Sequence, residues 1–269
     1  MGTILVTNLA ILQPNMKSLF LFPFWILISS FLHASIEKHT LKTWRNLLKN
    51  HSDCVTWVSV NVRIEISANG QSFPPSERKL EALGTVLHQD GLTVLSLNQV
   101  DPTYSILSRM RSPTDVKVDY TEVMILSKDG REIPSRFLLK DEDLDLAFIL
   151  PDESKNVSEK NIFQHVSGIS EANASIIEPL DQVVSLSKLD QNLYRQPILT
   201  HGFVNTVITK PRNYLVIEKV TPGAPVFNDL GKWLGVTVFK KENKRPTEVI
   251  TIPSEDILEL AEQVRIRTK

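Results

Sequence analysis

The reactive side chains of this chain are few, and one of them is a single cysteine. Cys54 is the only cysteine in 269 residues, so it cannot form an intramolecular disulfide or a Cys-rich structural zinc site. Its neighbours Val55 and Trp57 predict a buried thiol, because free cysteines behave as small apolar side chains. We expect neither a metal site nor a cofactor.

A run of carboxylates is a second candidate for chemistry. Asp141, Glu142 and Asp143 precede Asp145, which stands directly before the apolar residues 146–150. The run is either a solvated turn or a site for a cation or a basic peptide. Asp145 borders a segment with the composition of a buried strand, so its carboxylate must find hydrogen-bond partners.

The elements that must position these residues are short strands. Residues 58–66 alternate apolar and polar side chains, the period of a strand with one buried face. Residues 67–79 form a polar loop, and helices are predicted at 40–50 and 254–266. The polar stretch 151–175 divides the remaining strands into two sets, a pattern typical of an all-β sandwich or barrel. These strands are predicted at 84–88, 92–97, 116–125, 135–140 and 145–150, then at 182–188, 197–209, 213–218, 233–239 and 247–252.

The charge balance argues against a nucleic-acid partner. Thirty Lys and Arg residues against 31 Asp and Glu residues leave a formal net charge of -1, so no global basic field exists. The sequence also lacks a zinc finger, an RNP-type aromatic motif and a basic helix. Hydrophobic residues make up 42% and charged residues 23%, which is the composition of a globular protein.

The segment 18–34 has the composition of a targeting sequence. It is almost entirely apolar, it follows Lys17, and Ala34 ends an imperfect cleavage pattern. Its length also suits an uncleaved membrane anchor. We therefore expect an exported protein, periplasmic or secreted, or one held to the membrane by this segment. Met16 suits the true start better than Met1, and both remain open.

Four segments carry a resemblance to a known family. The first is a strand–turn–strand, and the second contains the triplet DLA. The third contains the string PVFN followed by GKWLGV, and the fourth is a strand–helix junction. In this order they resemble the HtrA (Deg) branch of exported trypsin-like serine proteases. They are GTVLHQDGLTVLSLNQV (84–100), KDGREIPSRFLLKDEDLDLAFIL (128–150), TPGAPVFNDLGKWLGVTV (221–238) and ITIPSEDILELAEQV (250–264).

The resemblance implies an all-β fold, a trypsin-like double β-barrel with a C-terminal helix. The barrel domain is expected over 40–266, with barrels at about 55–150 and 165–252. Residues 1–34 are set apart as an N-terminal extension with a signal peptide or anchor. Because the chain stops at Lys269, we expect no PDZ domain after the barrels, a departure from typical family members.

The family's catalytic positions are matched by Gln99, Asp145 and Pro222. A shift by one residue would place Asn98 at the histidine position instead of Gln99. Neither amide can accept a proton near neutral pH, and proline has no hydroxyl and no backbone N–H. Thr221 is one position early for a nucleophile that depends on hydrogen-bond geometry. No catalytic residue is therefore assigned, and the resemblance implies a protein that is not an enzyme.

In the resembled family, the strand after the nucleophile loop pairs with the substrate as an added strand. The matching residues here are Thr237, Val238 and Phe239. Backbone pairing of this kind can outlast the loss of catalytic side chains. The alternation around Val238 also fits an ordinary core strand, so both interpretations stay open.

Three functions remain on the sequence alone. The preferred one is an inactive protease homologue, a pseudoprotease, that binds an extended peptide or a protein partner outside the cytoplasm. The first alternative is a residual serine-type hydrolase with a non-standard nucleophile. The second is a purely structural exported protein.

Overall fold

The computed structural model describes residues 38–110, 112–155, 163–242 and 245–267. The predicted targeting segment 18–34 lies outside the described residues. By its internal contacts the chain divides into two compact units, Met1–Lys42 and Thr43–Lys269, and all strands of the described residues belong to the second. Among the described residues, no helix combines the length and the apolarity that crossing a bilayer requires.

The first half of the larger unit is a seven-stranded antiparallel sheet whose ends meet. The strand order is β2-β1-β3-β4-β7-β6-β5, and an additional pairing of β1 with β5 closes the sheet on itself. The strands are β1 (Val55–Ala68), β2 (Gln71–Ser72), β3 (Ser76–Val86), β4 (Thr93–Ser96), β5 (Thr114–Leu126), β6 (Glu132–Asp141) and β7 (Leu146–Pro151).

The second half is a closed six-stranded barrel. Its order is β10-β13-β12-β11-β8-β9, closed by the pairing of β9 with β10. Its strands are β8 (Gln182–Lys188), β9 (Pro197–Ile208), β10 (Tyr214–Ile217), β11 (Pro225–Asn228), β12 (Trp233–Glu242) and β13 (Arg245–Pro253). These two sheets confirm the predicted all-β double-barrel architecture.

Three apolar clusters hold the unit together. One fills the first sheet around Val60 and Ile125, and one fills the second barrel around Val204 and Leu234. The largest cluster joins both barrels, because it contains side chains from each of them and from the flanking helices. Cys54 belongs to this cluster and is fully buried, which confirms the predicted thiol and raises its pKa to about 12, chiefly through desolvation.

Helices precede and follow the barrels in the chain, as predicted. Residues 38–51 form helix α1, and Ser254–Arg267 form the C-terminal helix α3. Between them, Thr103–Leu107 form the short helix α2. In α3, Ile257, Ala261 and Val264 are buried in the large cluster, as their helical spacing predicts.

The loop predicted at 67–79 is confirmed only at 69–70 and 73–75, because β1 extends to Ala68, Gln71–Ser72 form β2 and residues 76–79 begin β3. Residues 76–79 belong to β3, where Lys79 pairs with Asn61 and Glu77 with Arg63. This part of β3 is exposed and charged, so it lacks the apolar alternation that marks a strand in the sequence. Its pairing comes from backbone hydrogen bonding to β1, for which the side chains give no signal.

Candidate functional site

Asp145 lies at the junction of the two barrels, directly before β7, and its side chain is fully buried. Its Oδ1 accepts the Asn98 N–H at 2.9 Å and lies 3.1 Å from Lys241 Nζ. Its Oδ2 accepts the Phe239 N–H at 3.0 Å and a hydrogen bond from the Ser96 hydroxyl. The carboxylate thus has four partners, two from each barrel.

The cation that faces this carboxylate was not predicted from the sequence. Lys241, on β12, keeps only 13% of its side chain exposed and forms the ion pair with Asp145 across the barrel junction. A carboxylate without water around it needs such a partner, because burying an isolated charge is costly. The expectation that Asp145 hydrogen-bonds to backbone groups agrees with the contacts from Asn98 and Phe239.

Asp145 also has an unusual backbone. Its φ is 59°, in the left-handed region that Asp and Asn enter more readily than most residues. Its carbonyl accepts the Leu97 N–H at 2.9 Å, so both its backbone and its side chain hold the segment after β4. That segment, Leu97–Gln99, is a short 3-10 helix. The fold therefore uses Asp145 to position the residues at the predicted histidine site.

Gln99 lies beside the loop that holds Pro222. Its Oε1 is buried and has no hydrogen-bond partner among the described residues. The same oxygen is 3.4 Å from the position that a Cβ on Gly223 would occupy. The N–H of Asn98, the residue before Gln99, donates to Asp145. The segments that hold Gln99, Asp145 and Pro222 therefore lie together.

The backbone of the Pro222 loop is turned inward. The Gly223 N–H donates to the Thr237 carbonyl at 2.7 Å, and the Ala224 N–H donates to the Thr221 carbonyl at 3.1 Å. The Gly223 carbonyl accepts the Thr85 hydroxyl at 2.8 Å. Both N–H groups that follow Pro222 therefore have partners within the protein.

The predicted peptide edge is partly occupied by this loop. Thr237 donates its N–H to Ala224 and accepts the Gly223 N–H, and the Phe239 N–H donates to Asp145. Val238 is fully buried and pairs with Ile250 of β13. The peptide site at 237–239 stays a prediction. The N–H and the carbonyl of Thr237 already have partners in the Gly223 loop, so an added peptide strand must pair with other backbone groups of β12.

A groove of about 1120 Å³ opens next to the buried ion pair. Asn98 and Lys241 form its inner wall, and its outer wall comes from α2 and β5. It is lined by Asn98, Asp101, Thr103, Tyr104, Leu107, Ser108, Val116, Lys117, Val118, Tyr120, Lys140, Glu142, Asp143, Lys241 and Arg245. Charges of both signs and apolar side chains therefore face the same space.

Two of the residues in the acidic run reach this groove. Glu142 and Asp143 line it, whereas Asp141 accepts the N–H groups of Asp143 and Leu144 and forms the turn. The turn interpretation of the run therefore holds for Asp141, and the binding interpretation stays a prediction for Glu142 and Asp143. No three His, Cys, Asp or Glu side chains of the described part of the chain come together as a metal site.

Tyr120 and Lys140 form one side of the groove. Lys140 Nζ lies 4.0 Å from the centroid of the Tyr120 ring, an ammonium–ring contact. The Tyr120 hydroxyl hydrogen-bonds to Asp101 at 3.1 Å. Burial, and next the charge of Asp101, raises the pKa of Tyr120, so this hydroxyl stays a proton donor.

The histidine nearest in sequence to the site belongs to a different cluster. His88 Nδ1 lies 3.0 Å from Asp90 Oδ1 and 3.0 Å from Arg265 Nη2, and its ring stacks on His165 at 6.0 Å. His165 in turn contacts the Ser167 hydroxyl at 2.8 Å. No histidine is among the partners recorded for Asp145 in the described residues.

This histidine cluster predicts a pH dependence of stability. Burial and then Arg265 lower the pKa of His88 from 6.5, and burial and then His88 lower that of His165. The folded state therefore binds fewer protons than the unfolded state, so the cluster's contribution to stability is present above pH 6.5 and is lost as pH falls toward the lowered folded pKa values. Denaturant unfolding at about pH 7.5 and about pH 5.5 should show a smaller difference in the double variant His88→Gln, His165→Gln. An unchanged difference would contradict this assignment.

The fold is similar to that of a solved protease. The chain superposes on an HtrA-type protease, AlgW, solved with a decapeptide, with a TM-score of 0.53 and 10% sequence identity. The match covers 82% of this chain and 67% of that chain. No protein-family model matches the chain, and no curated protein matches its sequence. The two barrels, the C-terminal helix and this likeness together show that the chain has the trypsin-like double β-barrel fold.

Proposed function

We propose that this protein is an inactive member of the protease fold that binds an extended polypeptide in the groove beside Asp145. The observation that carries the proposal is the ion pair between Asp145 and Lys241 at the barrel junction. In a serine protease the carboxylate orients a histidine that takes the nucleophile's proton. Here an ammonium and two backbone N–H groups engage the carboxylate, and the neighbouring side chain at the histidine position is the amide of Gln99.

The Pro222 loop supports the same proposal. Acyl transfer needs a hydroxyl nucleophile and N–H donors aimed at the developing oxyanion, and loss of one such donor costs about 100–1000-fold in turnover. Pro222 supplies neither a hydroxyl nor an N–H. The N–H groups of Gly223 and Ala224 are engaged within the protein.

The groove supports binding. It offers the apolar side chains of Leu107 and Tyr104, the acids Glu142 and Asp143, and the cation Arg245 along one surface. A polypeptide has apolar side chains, both charge signs and backbone groups, so it suits such a lining better than a small apolar ligand does. The similar HtrA-type structure was solved with a decapeptide, which points to the same class of ligand.

The apolar segment 18–34 supports a location outside the cytoplasm. A positive residue before an apolar run of this length directs export, and without cleavage it holds the protein to the membrane. We therefore place the binding groove in an exported compartment, either in a released protein or in one anchored by 18–34.

The first test concerns catalysis. The purified chain should neither react with a fluorophosphonate nor cleave unfolded casein, because the groups at positions 99 and 222 cannot act as base and nucleophile. Gel fluorescence of the probe, run beside an active HtrA-type protease, is the measurement. Labelling that disappears in Thr221→Ala would overturn the proposal and favour a residual hydrolase with Thr221 as its nucleophile.

The second test concerns the groove. Leu107 is exposed on α2 at the rim, so Leu107→Ala should weaken a peptide selected from an array by roughly fivefold to tenfold, the value of burying part of one leucine side chain. Leu193→Ala is the matched control, because Leu193 is also an exposed leucine, at 53% against 41% for Leu107, but does not line the groove. Fluorescence anisotropy gives both affinities. Failure of every peptide to bind would favour the purely structural alternative.

A further inference from the structure

Three exposed apolar side chains lie at one end of the second barrel. Leu180 is 78% exposed, Leu230 is 58% exposed and Phe203 is 39% exposed. They belong to neighbouring parts of the barrel, since Phe203 pairs with Gln182 of β8 and Asn228 pairs with Val183 of β8. Leu180 precedes β8 by two residues and Leu230 follows Asn228 by two residues. Leu180 and Leu230 thus lie beside the start of β8 and the end of β11, Phe203 lies on β9 opposite the first residue of β8, and we call the three residues the Leu230 patch.

The fold does not require these side chains to be apolar. Leu180 has a φ of 75°, in the left-handed region that suits Gly or Asn and that a leucine enters only at a cost. Its N–H donates to the Val204 carbonyl at 2.8 Å, which holds the leucine in this exposed position. An exposed, strained leucine is therefore evidence for a role at a surface, because packing gains nothing from it.

The Leu230 patch lies near Thr43 and Trp44, at the start of the larger unit. Thr43 is the first residue of that unit, and a Cβ on Gly231 would lie 2.8 Å from its methyl group. Trp44 stacks on His201 at 5.2 Å, and His201 contacts the Phe203 ring at 5.1 Å. The patch is thus the part of the barrel next to the incoming chain.

The chain between residue 34 and Thr43 limits the distance between the apolar segment 18–34 and the Leu230 patch. The apolar segment ends at residue 34, nine residues before Thr43. Nine residues span at most roughly 30 Å even when fully extended. If the segment 18–34 is embedded in a bilayer, Thr43 therefore lies no more than roughly 30 Å from its end.

We propose that the Leu230 patch docks on the surface of the lipid bilayer into which residues 18–34 insert, which orients the barrels on the membrane. This inference rests on the anchored form of the proposed function. The rim of the patch has exposed residues of both signs, with Asp181 and Asp229 beside Lys232. Docking is therefore driven by apolar side chains entering the interface, and it needs no anionic lipid.

The test uses the full chain reconstituted in phosphatidylcholine vesicles. An environment-sensitive fluorophore is attached to a cysteine introduced by Leu230→Cys, and Cys54 stays unlabelled because it is fully buried. The matched control is Tyr194→Cys. Tyr194 is 86% exposed and lies in the β8–β9 connection, at the opposite end of the same strands.

Lipids with a nitroxide near the headgroup should quench the Leu230→Cys probe at least about threefold more than the Tyr194→Cys probe, because an interfacial side chain enters the bilayer by roughly 5–10 Å. The additional changes Leu180→Glu and Phe203→Glu should abolish this difference. Equal quenching of the two probes in vesicle-bound protein would overturn the docking proposal alone.

Protection of the Leu230→Cys probe from aqueous iodide without lipid quenching, growing with protein concentration, would show that a second copy covers the patch, and it would also overturn the proposal. Failure of the full chain to sediment with the vesicles would overturn the anchor and the docking together. These outcomes separate the inference from the proposed function.

Discussion

Replacing Gly223 with alanine is expected to destabilise the protein by at least about 3 kcal/mol or to prevent its folding. A Cβ at this position would lie 1.9 Å from the Leu83 carbonyl oxygen, far inside van der Waals contact, and the φ of Gly223 is 85°. The obstacle is backbone of β3, which cannot rotate away as a side chain could. Unfolding in denaturant, followed by circular dichroism, measures the change.

Gly130→Ala is the matched control for this prediction. Gly130 has a similar φ of 82°, but no heavy atom lies within 4 Å of its Cβ position. Its substitution therefore costs only the left-handed backbone strain of about 1 kcal/mol. If the two alanine variants lose the same stability, the close approach of the Gly223 loop to β3 does not exist as described.

Replacing Lys241 with methionine is expected to lower the free energy of unfolding by about 3 kcal/mol. The change removes the ammonium 3.1 Å from Asp145 and leaves a carboxylate that is fully buried with only hydrogen-bond donors around it. Removing one partner of a buried pair is costly because the remaining charge has lost its water. Lys240→Met, one residue earlier, should change stability by no more than about 0.5 kcal/mol.

A double-mutant cycle with Asp145→Asn isolates the pair. Once the carboxylate is an amide, the ammonium at position 241 has no buried charge to neutralise, so the loss in the double variant should be smaller than the sum of the two single losses. The coupling is measured from denaturant unfolding of the four proteins. Additive losses would show that Lys241 acts through packing of its aliphatic chain and not through its charge.

Both predictions concern contacts that hold the two barrels together at their junction. Asp145 holds the segment Leu97–Gln99, pairs with Lys241 and accepts the Phe239 N–H, so one carboxylate connects β4, β7 and β12. Asp145, which was predicted to match the triad acid, thus has a structural role beside Gln99 and Pro222. Its contacts stabilise the fold whether or not any reaction takes place there.

Much of the fold was predictable from local patterns. The alternation along 58–66, the helical spacing of Ile257 and Ala261, and the buried environment of Cys54 each depend on a residue's own neighbours. Apolar residues must leave water, and the period at which they recur in the chain selects a strand or a helix. The charged start of β3 escaped prediction because an exposed strand segment carries no such period.

The candidate site depended on contacts that no local pattern contains. Lys241 and Asp145 are far apart in the sequence and belong to different barrels, and no motif marks this lysine among the 30 cationic residues of the chain. Likewise, closure of the second barrel brings Thr237 against the Gly223 loop and so occupies part of the predicted peptide edge. The Leu230 patch depends in the same way on strand pairing, which brings the end of β11 and the middle of β9 to the start of β8.

The sequence by itself determined the all-β class and the burial of the thiol, because these follow from periodicity and from side-chain chemistry, and its resemblance to the HtrA family predicted the double β-barrel and the match of Gln99, Asp145 and Pro222 to the triad. Only the tertiary structure decided which cation neutralises Asp145, which backbone groups remain open to a ligand and which apolar side chains stay in water. The physical reason is that strand pairing between distant segments sets these distances, and the energy of a buried charge or a backbone contact depends on its distance from its partner.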